Sequence, residues 1–189
     1  MKPVKLLVAL FGALALAAPA AAQIRVDING GNAAPMPHAA PAQPAPAVTA
    51  TAAGDTGDLG KRVATVITDD LKSSGLFAPL GPNALGAVAF NRVTTPDFPY
   101  WNGTGAQALV QGFVQANGDG TLTVGCYLYD IFAQTEMTRA GFVVQPSAWR
   151  RAAHKCADTI YTRLTGEGPY FDSRVVYVSE TGPKTRRTK

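Results

Sequence analysis

Two stretches of this chain carry apolar residues at helical spacing, and the sequence between them alternates. Leu59, Val63, Val66, Ile67 and Leu71 form one stripe, with Lys61, Arg62, Thr65, Asp69 and Lys72 on the opposite face. This predicts an amphipathic helix over 58–74. Asp58 is the expected N-cap, and Ser73-Ser74-Gly75 the expected stop. Trp149, Ala152, Ala153, Cys156, Ile160 and Leu164 form the second stripe and predict a helix over 146–165. That helix opens on Pro146, whose missing N–H is not needed in a first turn, and ends at Gly166. Between the helices, 106–116 reads as a strand buried on both faces. The turn Asn117-Gly118-Asp119-Gly120 leads into a returning strand over 121–130, and 136–145 makes a third. Residues 76–80 read as an extended piece and 47–53 as a weak first strand. Residues 81–100, with Pro82, Pro96 and Pro99, read as loop with room for one helical turn before Trp101. The expected fold class is α+β: a mixed sheet of three to four strands covered on one face by two amphipathic helices.

The two ends read differently. Lys2 and Lys5, the apolar run Leu6–Ala18 and the small residues Ala20-Ala21-Ala22 have the order of an export signal, residues 1–22. The run is too short to span a bilayer, so no stable membrane insertion is expected after cleavage. Gln23-Ile24-Arg25-Val26-Asp27-Ile28 alternates and can act as a strand; Asn29-Gly30-Gly31 breaks it, making 23–31 a free strand-like segment. Residues 32–46, almost wholly alanine and proline from Ala33 on, read as a mobile tether. The folded domain is then expected over 47–168. Within 169–189, Ser173–Glu180 reads as one further strand, followed by the turn Thr181-Gly182-Pro183-Lys184.

Charge adds little. The chain has 17 basic and 13 acidic residues. Without Lys2 and Lys5 the count is 15 to 13, and four of those cations stand in the last six residues, leaving 11 to 13 in 23–183. A basic tail on a mildly acidic body does not have the footprint of a nucleic-acid binder. Cys126 and Cys156 both point into the predicted core, where an exported protein either bridges them or buries them as free thiols. His38 and His154 have no ligand spacing with the cysteines, so neither metal nor cofactor is expected. His154 with Asp158, four residues on, and Ser147, seven residues upstream, is the best arrangement resembling catalytic machinery. The aromatic loop Pro96–Trp101 either lines a groove or anchors itself in the core.

Several of these stretches together resemble one family. Gly57-Asp58-Leu59-Gly60 before a helix ending Leu71-Lys72-Ser73-Ser74-Gly75-Leu76-Phe77 is similar to the N-terminal domain of TolB, the periplasmic component of the Tol–Pal system. Trp149–Lys155 and Ile160–Gly166 resemble the helix that precedes the family's β-propeller, and Phe171–Val178 resembles the first propeller strand. The likeness covers most of residues 54–182. It implies a non-enzymatic scaffold in the periplasm, with roles in outer-membrane integrity and envelope constriction at cell division. It also implies that 169–189 begins a truncated propeller, and that the strand after Gly31 in the family falls on the Ala/Pro-rich stretch here. The family's extreme N-terminal strand binds the C-terminal domain of TolA, which by position puts that contact on Gln23, Ile24, Arg25, Val26, Asp27 and Ile28. The family's contact with the lipoprotein Pal lies on the propeller. The alternatives from the residues alone are a standalone ligand-binding domain or a small exported enzyme.

Overall fold

The computed structural model describes residues 34–174, 176 and 178. The expected signal segment, the 23–28 hexamer and half of the expected 173–180 strand lie outside the described residues. In chain order the strands are β1 (Met36–Ala39), β2 (Ala50–Thr51), β3 (Gly54–Asp55), β4 (Phe77–Leu80), β5 (Ala108–Ala116), β6 (Leu122–Asp130) and β7 (Thr135–Val144). A five-stranded mixed sheet in the order β4-β1-β5-β6-β7 forms the centre. β1 runs parallel to both β4 and β5, while β5, β6 and β7 form an antiparallel meander. A separate two-stranded piece pairs β2 with β3. The α+β class expected from the pattern is present, with one strand more in the sheet than expected.

The helices are α1 (Thr56–Ser73), the short α2 (Phe98–Asn102) and α3 (Trp149–Thr165). The two long ones, α1 and α3, lie on the same face of the sheet. Their predicted stripes are the buried ones: Leu59, Val63, Ile67 and Leu71 of α1, and Ala152, Cys156, Ile160 and Leu164 of α3. These meet Val110, Val114, Leu122, Val124 and Leu128 from the sheet. Removing such side chains from water contributes on the order of 1.5–3 kcal/mol each. Arg62 lies 4.2 Å over the Trp149 ring and donates to the Ala53 carbonyl, tying the start of α1 to the start of α3. On the other face, Ala39, Trp101, Ala106, Leu109, Tyr129 and Ile131 form a smaller cluster beneath the long loop.

The segment expected to be a tether instead supplies an interior strand of the sheet, β1. β1 begins at Met36, whose N–H donates to the Leu76 carbonyl, and the ladder continues to Ala40 and Leu80. Pro37 is tolerated because its missing N–H faces the side of β5, which starts opposite His38. The Pro37 carbonyl still accepts from Gln107. Beyond β1, the Gln43 N–H donates to the Gly60 carbonyl and the Pro44 carbonyl accepts from Val114, so this stretch is wedged between α1 and β5. A Cβ at Gly60 would collide with the Gln43 backbone carbonyl. One at Gly112 would collide with the Gly125 carbonyl and come within 2.9 Å of the Gln43 side-chain amide. Glycine at both positions makes room for the segment, and alanine and proline fit there because they are small and lose little side-chain entropy.

Smaller differences concern element ends. The N-cap of α1 is Asp55, which accepts the Asp58 N–H at 2.9 Å, because the β2–β3 hairpin starts the helix earlier than the apolar stripe. The helical turn expected before Trp101 is α2, which includes that residue. β7 carries a bulge opposite Leu128 and Tyr129, and the Met137 carbonyl there accepts from Arg163 of α3. Of the expected 173–180 strand, the described residues Ser173, Arg174, Val176 and Val178 are in no strand.

Candidate functional site

The hexamer 23–28 is outside the described residues, and what the structure places is its anchor. Seven residues, 29–35, separate Ile28 from Met36, the first residue of β1. Met36 itself stands at one end of the sheet, its N–H on the Leu76 carbonyl just beyond the end of α1. Met36 and His38 sit on the helix-covered side of β1, with His38 edge-on to Phe77 at 5.8 Å. His38 is 1% exposed, and neither ring nitrogen reaches a hydrogen-bond partner among the described residues. Burial pushes its pKa from 6.5 down to about 4, with the Met36 backbone offsetting this in part.

The other candidates named from the sequence fall in three places. Cys126 of β6 and Cys156 of α3 form a disulfide with Cα atoms 5.9 Å apart, stapling the meander to the second long helix. The residues that resembled catalytic machinery do not assemble. His154 Nδ1 meets the Asp70 carboxylate of α1 at 2.7 Å, not Asp158. Desolvation raises the Asp70 pKa, and the His154 hydrogen bond works against that rise. Asp158 faces the chain beyond α3 and accepts the N–H groups of Tyr170, Phe171 and Asp172. Ser147 is exposed in the 3-10 turn Pro146–Ala148.

The aromatic loop anchors itself. Trp101 is 3% exposed, and Phe98 stacks edge-on to Tyr129 at 6.0 Å. Tyr129 donates its hydroxyl to the Val93 carbonyl, pinning the middle of the loop to β6. The shallow space left between Phe98, Ile131 and Phe132 is about 260 Å3. The body therefore supplies a frame with anchored loops, and among the described residues its sheet has two edges, β4, paired with β1, and the longer β7, paired with β6.

Comparison with known proteins supplies the family. The family described as the TolB amino-terminal domain matches residues 24–137. The chain belongs to the TolB family. The Tol-Pal system protein TolB of Rhizorhabdus wittichii is 68% identical over 185 residues, 98% of this chain and 42% of that protein. The protein of the same name from Zymomonas mobilis is 66% identical over 166 residues, 88% of this chain and 36% of its own length. The chain thus spans less than half the length of these TolB relatives. The crystal structure of TolB from Acinetobacter baumannii superposes with a TM-score of 0.50 at 24% identity, covering 69% of this chain and 29% of that one. At that identity the likeness concerns the fold. The TolB family match begins inside the hexamer, at Ile24, and runs through the stretch that composition alone marks as a tether.

Sequence reasoning misses two details of this TolB-family domain. One is the depth at which the hexamer's leash is rooted, because alanine and proline carry no periodic signal. The other is the role of Asp158, whose partners are backbone N–H groups 12 to 14 residues further on.

Proposed function

We propose that this chain is the front module of a periplasmic Tol–Pal scaffold and that it works by lending backbone rather than by transforming a substrate. Gln23, Ile24, Arg25, Val26, Asp27 and Ile28 add as a strand to an exposed sheet edge of a TolA-like C-terminal domain. Main-chain hydrogen bonds supply affinity, and alternate side chains supply specificity. The observation that carries this reading is the root of the leash. Seven residues behind the hexamer the chain enters an interior strand of the sheet, so tension on the hexamer is borne by β1, hydrogen-bonded on both sides to β4 and β5. An alternating hexamer on a short leash to a buried strand suits a grip that must hold under tension.

The same reading assigns the module to outer-membrane integrity and envelope constriction at division. It leaves the contact with a Pal-like lipoprotein to the part of the longer relatives beyond this stretch. The enzyme alternative loses its machinery, since His154 is engaged by Asp70 and the Asp158 carboxylate is filled by three N–H groups. The test is calorimetric. A peptide spanning Gln23–Asn29, titrated into a TolA-like C-terminal domain, is expected to give saturable one-to-one heat, and an absence of heat would remove the TolA contact from these residues.

A further inference from the structure

After α3 the chain does not depart into solvent. Gly166 takes the left-handed conformation at φ 81°, and the Glu167 N–H returns to the Thr165 hydroxyl. The chain then folds back along the helix it has just left. Asp158 Oδ1 accepts from Tyr170 at 2.8 Å and from Phe171 at 2.7 Å, while Oδ2 accepts from Asp172 at 3.1 Å. Further toward the start of α3, Arg151 Nε donates to both carboxylate oxygens of Asp172, at 3.2 and 3.0 Å. From Thr165 to Asp158 is about 10 Å of helix at 1.5 Å per residue, so the strap backbone runs back along the last two turns of α3 and reaches Arg151 through side chains. Tyr170 and Phe171 also pack their rings on Tyr161, at 5.1 and 5.6 Å.

The carboxylate and the strap depend on each other. Asp158 is 7% exposed, and a charge that deep is tolerated when hydrogen bonds replace its water. The protein groups that do so here are the three consecutive strap N–H groups. Asp70, bonded to His154, stands near enough to feel the Asp158 charge. On its outer side the strap, with Phe142 of β7 and Lys155 and Thr159 of α3, borders a groove of about 380 Å3. Ser173 therefore stands beside the open edge strand and not at the end of α3.

We propose that Asp158 is the positioning residue of a stiff joint: by gripping three consecutive N–H groups it fixes the point and direction in which the chain beyond Ser173 leaves the body. The relatives are longer than the matched stretch, and in such a chain the joint sets the angle between this domain and the succeeding one. The joint is argued from residues 158–172 alone and does not rest on the TolA reading.

Hydrogen exchange on the full chain, read by mass spectrometry, tests the grip. The amides of Tyr170, Phe171 and Asp172 are expected to exchange roughly 100-fold slower than in a free peptide, and in Asp158→Ala to come within about tenfold of it. Core amides of β5 should be unchanged, which separates local release from general loosening. Spin labels at K72C and V176C should give a narrow distance distribution in the parent and a broad one in D158A. Unchanged protection and an unchanged distribution in D158A would overturn the proposal, leaving the strap to ring packing on Tyr161. Should D158A fail to fold, Asp158→Asn decides. Partial loss of protection at 170–172 supports the joint, and parent-level protection overturns it.

Discussion

Gly60→Ala isolates the wedge on which the anchoring of the leash rests. In an ordinary helix interior the change would stabilise, since alanine is favoured over glycine by about 1 kcal/mol. Here the new Cβ would occupy the position of the Gln43 backbone carbonyl. Neither atom belongs to a flexible side chain, so the clash cannot be relieved by a rotamer change. Restoring ordinary contact at about 3.5 Å or more requires α1 and the segment after β1 to move apart. That separation breaks the Gln43-to-Gly60 bond and weakens the Val114-to-Pro44 bond, each worth about 1 kcal/mol. Overpacking itself costs about 1–3 kcal/mol. The balance is a net loss of about 2–4 kcal/mol after the propensity gain, or a fall in Tm of about 6–15 °C for a body of this size. Thermal unfolding followed by far-ultraviolet circular dichroism reads it. Gly118→Ala is the control, with nothing within 4 Å of its added Cβ among the described residues, and should be neutral or slightly stabilising. A G60A protein melting at or above the parent would refute the reasoning and return residues 40–46 to the surface.

Three further outcomes are expected. Replacing both Cys126 and Cys156 by alanine opens a connection spanning 30 residues, which on the chain-entropy account lowers stability by about 3–4 kcal/mol. Urea titrations with and without reductant should differ by that amount for the parent and not for the double variant. Acid should weaken the domain through His38. Its folded pKa of about 4 lies below the unfolded 6.5, so the unfolded chain binds the proton first, and stability present above pH 6.5 is lost as pH falls toward 4. His38→Leu should remove that dependence and exceed the parent by about 2 kcal/mol at pH 5 relative to the difference at pH 7.5. Equal slopes of stability against pH in the two proteins would contradict it. Finally, Asp55→Ala should lower stability by about 1 kcal/mol through loss of the α1 cap, while Asp58→Ala should change it by less, since Asp58 makes only an exposed pair with Lys61. Chemical denaturation of the two variants side by side reads that order.

Legibility in the sequence depends on which forces leave a periodic trace. The stripes Leu59–Leu71 and Trp149–Leu164 and the alternation of 106–145 arise from burial on one or two faces, and the observed helices and meander fall on them. β1 is not legible, because four residues of Met-Pro-His-Ala in an Ala/Pro-rich run have no period. What makes the stretch a strand is space provided far along the chain, at Gly60 and Gly112. A lone glycine in an otherwise good helix, as at Gly60, is the available hint of a close backbone approach. Asp158 misleads for a related reason. An i,i+4 neighbour, His154, is the obvious local partner, and a non-local strap of backbone donors carries no side-chain signature. The strand reading of the hexamer rests on its alternation and on the family resemblance, and its pairing with a TolA-like partner is a proposal built on both.

The grip of the hexamer is tested most directly by hydrogen exchange of the full chain with and without a TolA-like C-terminal domain. Slowing of exchange confined to the amides of residues 23–28, with β7 unchanged, is the expected result. A hexamer that exchanges equally fast in both samples while protection appears along 138–144 would move the contact to the open sheet edge and contradict the assignment.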